Sequence, residues 1–471
     1  MTSTPQPATS GHPSLMARVE GEGRIDLDLR DGRVVAARLA IVEPARLFEK
    51  LLEGRHALDV PDLVARICGI CPAAYQLTAV QALEQALGVE PDPWAVDLRR
   101  LLACGEWIES HCLHLHLLAL PDVLGFPDAA TMARRHPDEV ARGFALQEAG
   151  NEIIRLLGGR SVHPVGLTVG GFLAAPRPAD VERVAALVAA AVPQALDLVR
   201  WAIGLPGGRG AELDVTRVAL RADAGYPLGA GGVAVLPAGA GSHDPNVDPE
   251  GDRGADPDGG LPPLLDVPAF AARVEERQVP YSTALHASLD GAPYLVGPLA
   301  RVAVNADRLP PAVTGMLARS GAVLPSTDLM RSLLARAVEV YLALAEALEL
   351  LTAYRVPRRA AERVPQRPPR RTDGRTAVGF GAIEAPRGLL WHRFELNGDG
   401  VVVRARIVPP TSQNQACIAE HLRLVVEALG PHLPPDQLQR HCEAVVRCYD
   451  PCISCATHLV RVRLHDLGAS G

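Results

Sequence analysis

The 471-residue chain is short of several features that mark common protein classes. Aromatic residues make up only 4%, and alanine and leucine are abundant, which favours helices over a large sheet sandwich. There is no basic surplus. The formal net charge of -7 argues against nucleic acid as a partner, because phosphate binding needs a positive face. Residues Met1 to Ser14 are polar and rich in Ser, Thr and Pro. They lack the basic start and apolar run of a secretion signal and read as a disordered tail. No apolar run reads as long enough to span a membrane: the candidate from Val181 to Val199 is interrupted by Glu182, Arg183, Pro193 and Asp197. The expected location is therefore cytoplasmic. No glycine-rich nucleotide fingerprint stands out either, since Gly204 to Gly210 has no strand before it and no helix after it.

What is present is a large apolar fraction, 48%, enough for a sizeable core. The expected fold is mainly α with small β-sheets, with a hairpin near each end. Ile25, Leu27 and Leu29 alternate with charged residues before an Asp31-Gly32 turn, and Val34 to Leu39 returns. Trp391 to Leu396, Asn397 to Gly400 and Val401 to Val408 repeat the pattern. Leu77, Val80, Leu83 and Leu87 share one helical face, with Gly88 as a stop. Asp180 is expected to cap a helix to Val192, and Asp328 one through Leu333, Val340, Leu344 and Leu351. Another helix is expected from Ile418 to Leu429. Residues 15–458 read as one domain. Within it, 237–263 is expected to be a mobile acidic loop and 355–375 an Arg/Pro-rich segment, either a solvated linker or a surface for an acidic partner.

Nine cysteines in such a chain do not suggest a disulfide framework. Four of them form two Cys-x-x-Cys pairs, Cys68/Cys71 and Cys452/Cys455, near opposite ends of the chain. Each pair lets two sulfurs reach one metal from a single turn of backbone. Four thiolates make a soft donor set for zinc, nickel or iron–sulfur chemistry. On spacing alone, structural zinc and a redox metal stand level. Cys104, Cys112, Cys417, Cys442 and Cys448 have no paired spacing and read as small buried apolar residues. His111, His114 and His116, on an apolar stretch, read as core histidines rather than ligands.

The residues around the pairs go further. Arg66-Ile67-Cys68-Gly69-Ile70-Cys71 and Asp450-Pro451-Cys452-Ile453-Ser454-Cys455-Ala456-Thr457-His458 resemble the two signature motifs of nickel–iron hydrogenase large subunits. Arg18 to Gly23, Arg46 to Arg55, Glu384 to Gly388 and Pro409 to Gln415 resemble further motifs of that family. The chain length and the Pro-Pro-Thr-Ser-Gln-Asn form are most similar to its cytosolic, bidirectional-type branch.

The resemblance implies reversible cleavage of dihydrogen to protons and electrons at a nickel–iron centre. All four cysteines would ligate nickel, with Cys71 and Cys455 also bridging to an iron that carries carbon monoxide and cyanide. Cys452 would accept the first proton and Glu20 would relay it. Arg387 would lie over the open metal position, accompanied by Asp122 and Asp450. Pro410 and Thr411 would contact a cyanide. Glu49, His458 and the Gln415 carbonyl would hold a magnesium ion. Tyr75 departs from the family pattern, which commonly has histidine there; a phenol still donates a hydrogen bond. Electrons would leave through an iron–sulfur small subunit to NAD(P)-, deazaflavin- or sulfur-linked subunits. A maturation protease and nickel-insertion proteins are implied as well, with 459–471 either removed or retained. The rival readings are a hydrogen sensor with little turnover and a structural zinc protein.

Overall fold

The structure, a computed structural model, describes residues 16–30, 33–208, 212–240, 263–356, 376–430 and 433–457. Of these described residues 51% are helical, with small sheets. The N-terminal hairpin pairs β1 (Gly23–Arg30) with β2 (Arg33–Ile41), from Gly23↔Ile41 to Arg30↔Arg33, with a one-residue register shift between Asp28 and Leu29. Its Asp31-Gly32 turn lies outside the described residues. Long helices follow: α1 (Pro72–Leu87), α2 (Pro93–Leu113), α3 (Pro137–Gly158), α4 (Pro178–Ile203), α5 (Arg331–Ala353), α6 (Gln415–Leu429) and α7 (Pro435–Tyr449). The helices α2, α3, α4 and α5 pack on one another, and one core cluster runs from Met16 to Ala456.

Helix α1 ends at Gly88 in the left-handed conformation, as the pattern suggested. Helix α4 differs from expectation. It begins at Pro178, so Asp180 sits in its first turn rather than at its cap, and it runs on through Pro193. Proline removes one backbone donor. However, Val184, Val188 and Ala191 before it and Ala195, Leu198 and Val199 after it stay buried on one stripe, so packing carries the helix across. By length and composition α4 is apolar enough to span a membrane, which corrects the sequence reading; its stripe here faces α5 and α3. Asp328 likewise lies outside α5, with its carboxylate on the backbone N–H groups of Met330 (2.9 Å) and Gly208 (3.1 Å).

The C-terminal hairpin is part of a three-stranded meander: β3 (Ala377–Ala385), β4 (Gly388–Leu396) and β5 (Val402–Val408). The unexpected strand is β3. Its Gly379 and Gly381 weaken a strand pattern, yet they are what lets it lie on α1. A Cβ at Gly379 would come within 1.9 Å of the Ala82 carbonyl oxygen, and one at Gly381 within 2.2 Å of that of Thr78. Pro386 and Arg387 alone join β3 to β4. Further short strands, Thr216–Arg221, Gly232–Leu236, Val274–Gln278 and Leu285–Leu289, were also unforeseen. Residues 241–262 of the predicted acidic loop and 357–375 of the Arg/Pro-rich segment lie outside the described residues, as do the tails 1–15 and 458–471.

His111, His114 and His116 are buried on α2 and the π-helical turn that continues it. Each ring has one partner: Glu339 for His111 (2.9 Å), the Arg447 carbonyl for His114 (2.6 Å) and the Cys112 carbonyl for His116 (3.0 Å). Burial pushes them down, to about 4, about 3 and about 4. A buried neutral histidine favours the folded state above its unfolded value near 6.5, and that contribution is lost as pH falls through the folded value. His116→Gln should therefore gain stability relative to the parent between pH 6.5 and 4, by up to about 1.4 kcal/mol per pH unit. Denaturant unfolding across that range checks it; a pH-independent difference would contradict it.

Candidate metal centre

Two loops from opposite ends of the chain meet here. Cys68 follows a 3-10 turn (Ala65–Ile67), and Cys71 immediately precedes α1, with Pro72 at the first helical position. The N–H groups of Ile70 and Cys71 point at Cys68 Sγ, at 3.3 and 3.1 Å. Glu106 on α2 accepts from the N–H groups of Ala73 (2.6 Å) and Ala74 (3.0 Å), capping α1 and tying the loop to the core. At the other end, Asp450 adopts φ 56 and stops α7, turning the chain so that Cys452 immediately precedes a short helical turn, Ile453–Ala456, and Cys455 lies within it. Arg46 fastens the loops to one another. Its guanidinium donates to the carbonyls of Ile67 (2.5 Å) and Ser454, and its own N–H donates to Thr457 O (2.6 Å).

The result is a pocket of four buried sulfurs, all within 4.8 Å of one another. Cys68 Sγ lies 2.8 Å from Cys71 Sγ and 3.4 Å from Cys452 Sγ; Cys455 Sγ lies 2.6 Å from Cys452 Sγ and 3.5 Å from Cys71 Sγ. Among the described residues this is the group of His, Cys, Asp and Glu side chains close enough to hold a metal ion. Burial opposes ionisation of every thiol. Hydrogen bonds from Cys452, Cys455 and Cys71, with the charge of Arg387, nonetheless bring Cys68 well down, while Cys71 and Cys452 stay high. A soft cation would resolve this crowding by taking all four as thiolates. The other five cysteines are buried elsewhere in the core.

Glu20 touches this cluster. Its Oε2 accepts from Cys452 Sγ at 3.1 Å and from the Ser454 N–H at 2.9 Å, while its carbonyl accepts from the Ile453 N–H at 3.0 Å. Gly21 allows the close approach: it has φ +90, and a Cβ there would stand 2.6 Å from Ile453 Cβ. Arg18, also at positive φ (59), donates to the Leu118 carbonyl (2.7 Å) and to Asp122. Arg447 donates to Asp122 Oδ2 (2.7 Å) and to the Ala17 carbonyl (2.8 Å). The carboxylate of Asp122, expected to accompany Arg387, pairs with Arg18 and Arg447 and so anchors the segment that carries Glu20.

Arg387, on the β3–β4 turn, is 3% exposed and faces the sulfurs. Nε donates to the Asp450 carbonyl (2.8 Å), Nη2 to Asp450 Oδ1 (3.2 Å) and Nη1 to Ser110 Oγ (3.3 Å). Burial works against its charge, but Asp450 and the sulfurs of Cys452, Cys71 and Cys68 outweigh it and hold the guanidinium protonated. Thr411 Oγ1 accepts from the Cys452 N–H at 3.0 Å, and Pro410 starts the same short helix. Next to them the hydroxyl of Ser412, 0% exposed, finds no partner among the described residues. Tyr75 is buried beside Cys455 and Cys71. Burial, then charge on Cys455 and Cys71, pushes its phenol well up and keeps it neutral. Glu49 is buried with Oε1 accepting from the Ile407 N–H (2.6 Å), and Gln415 begins α6. His458 lies outside the described residues.

Sequence reasoning missed Ser110, Glu106 and Glu109, and gave Arg46, which opens one of the family-like segments, no role. Glu109 neighbours Ser110; burial, opposed in part by Arg387, raises its carboxyl to about 8. None of these has a spacing signature; only the fold reveals them.

The residues present fit a nickel–iron group. Four soft donors surround one point, a cation balances their charge, and the Ser412 hydroxyl is an orphaned buried donor that a bound acceptor would satisfy. Cysteines 384 residues apart in the chain thus meet in one buried pocket able to hold a metal ion. Residues 46–143 and 266–458 match the model of the nickel-dependent hydrogenases. The chain is 33% identical to sulfhydrogenase 2 subunit alpha of Pyrococcus furiosus, over 94% of this chain and 98% of that one. It is 28% identical to the NAD-reducing hydrogenase HoxS subunit beta of Cupriavidus necator, over 94% and 93% of the two chains. A crystal structure of an NAD+-reducing [NiFe]-hydrogenase in the H2-reduced state superposes with a TM-score of 0.78 at 26% identity, covering 94% of this chain and 98% of that one. The chain belongs to the nickel-dependent hydrogenase family, and it is a hydrogenase large subunit.

Proposed function

We propose that this subunit cleaves dihydrogen reversibly and that Cys452 and Glu20 carry the proton away. The observation behind the proton route is the 3.1 Å contact between Cys452 Sγ and Glu20 Oε2 at the edge of the four-sulfur pocket. When bound, the nickel–iron centre supplies heterolytic cleavage of dihydrogen and takes up the electrons. Cys68, Cys71, Cys452 and Cys455 would hold the nickel, and Cys71 and Cys455 would be shared with the iron. Thr411, Pro410 and the Ser412 hydroxyl, which has no partner among the described residues, would contact the cyanide and carbon monoxide ligands of the iron. Arg387 holds a positive charge against the pocket, fixed by Asp450 and Ser110. Cys452 Sγ takes the proton and passes it to Glu20, and Glu43, packed on Gly21, offers the next carboxylate.

Several finer features belong to the same reading. Glu49, with the Gln415 carbonyl and His458, would hold a magnesium ion. Electrons would leave through an iron–sulfur small subunit to a pyridine-nucleotide, deazaflavin or sulfur-linked module, and the complex would work in the cytoplasm. Maturation would need nickel-insertion proteins and a protease acting after His458; the mass of the purified holo-subunit tests that cleavage. Under dihydrogen, the purified complex should reduce a viologen dye and show infrared bands of iron-bound carbon monoxide and cyanide. Bands without turnover would favour a sensor. Zinc in place of both metals would refute the reading.

A further inference from the structure

A second buried charge cluster lies behind the turn that carries Arg387. Arg301, on the helix Pro298–Val304, is 0% exposed, as is Glu339 on α5, and Glu384 on β3 is 1% exposed. All five guanidinium donors of Arg301 are engaged. Nε and Nη2 grip Glu339 in a fork, each at 2.7 Å, and Nη1 reaches Glu384 Oε2 at 3.1 Å. The remaining two bonds go to backbone: Nη1 to the Ala385 carbonyl and Nη2 to the Pro386 carbonyl, both at 2.8 Å. The guanidinium lies over the Trp107 ring, 4.3 Å from its centroid, and Trp107 Nε1 donates to the Glu384 carbonyl at 2.8 Å. Tyr226 and His111 complete the shell of Glu339, and the Leu220 N–H that of Glu384.

Burying an arginine and two carboxyls costs several kcal/mol per ion, and a well-packed apolar trio would often be as stable. Stability therefore does not explain the cluster. Its distinctive product is a grip on two consecutive carbonyls of the residues just before Arg387. Asp450 and Ser110 hold the head of Arg387; Arg301 holds the backbone from which it springs. Lysine could keep the ion pair but could not offer a planar fork to Glu339 and two carbonyls together.

We propose that Arg301 is a positioning residue for Arg387, holding the Ala385-Pro386 turn so that the Arg387 guanidinium stays against the four-sulfur pocket. The inference rests on the reading of Arg387 above. The test uses the holo-complex and variants Arg301→Lys, Arg387→Lys and the double mutant. Arg301→Lys should retain nickel and iron yet lose about ten-fold or more in hydrogen uptake, within the range for displaced charge-stabilising groups. In the Arg387→Lys background the same change should cost less than about two-fold, because the two act as one unit. Amide exchange followed by mass spectrometry should quicken across 385–390 while α5 keeps its protection. Equal losses in both backgrounds, or unchanged exchange at 385–390, would overturn the proposal. Full turnover in Arg387→Lys alone would sink the reading of Arg387, and the exchange experiment would still decide whether Arg301 holds the turn. If Arg301→Lys fails to assemble, Glu384→Gln, which weakens one anchor without changing shape, enters the same cycle. There a loss of about three-fold that vanishes with Arg387→Lys supports the proposal, and an additive loss overturns it.

Discussion

Cys452→Ser should abolish hydrogen uptake and strip nickel from the purified complex. Cys452 Sγ is in contact with Cys455 Sγ, Cys68 Sγ and Glu20 Oε2 at once, so no other side chain can take over its place. Serine nearly preserves the shape but offers a hard oxygen that stays protonated at neutral pH, whereas the pocket is built for soft thiolates. Losing a mere supporting partner of a metal ligand costs about 10- to 100-fold, so losing a ligand that is also the first proton acceptor should cost on the order of a thousand-fold or more. Dye reduction under dihydrogen and nickel content measure it together. Cys448→Ser is the control: its sulfur packs against Met330 Sδ (3.4 Å), outside the cluster, and its loss should leave uptake intact. Turnover surviving in Cys452→Ser would contradict the assignment.

Glu20→Gln should slow uptake by about 10²- to 10⁴-fold, the usual weight of a positioned acid–base group, while both metals stay bound. Glutamine keeps the length of the side chain and can still accept from the Ser454 N–H, so the local structure survives. It cannot carry a proton. Activity and metal content thus separate here, although they fall together in Cys452→Ser. Equal turnover in Glu20→Gln and the parent would refute the route from Cys452 Sγ to Glu20, leaving the metal site itself untouched.

The pocket was legible in the sequence because its chemistry is local. Two sulfurs three residues apart on one turn announce a ligand pair, and the flanking residues of both loops carry the family resemblance. Contacts made by single residues across the fold were not legible. Asp122 shows why: Arg18 and Arg447 reach it from positions 104 and 325 residues away, and no spacing foretells that pairing. Ser110, Glu106 and Arg301 are lone polar residues in apolar or mixed segments, which in isolation read as surface or satisfied core. The fold shows the same division. Strongly periodic helices such as α1 could be read directly, whereas Pro193 and the glycines of β3 obeyed packing rather than propensity.

Nickel K-edge X-ray absorption on the purified holo-complex bears most directly on the central claim, that four cysteine sulfurs from the two ends of this chain hold one metal. About four sulfurs should fill the first shell of nickel. A nickel shell of nitrogen and oxygen, or an edge signal from zinc with no nickel, would contradict it.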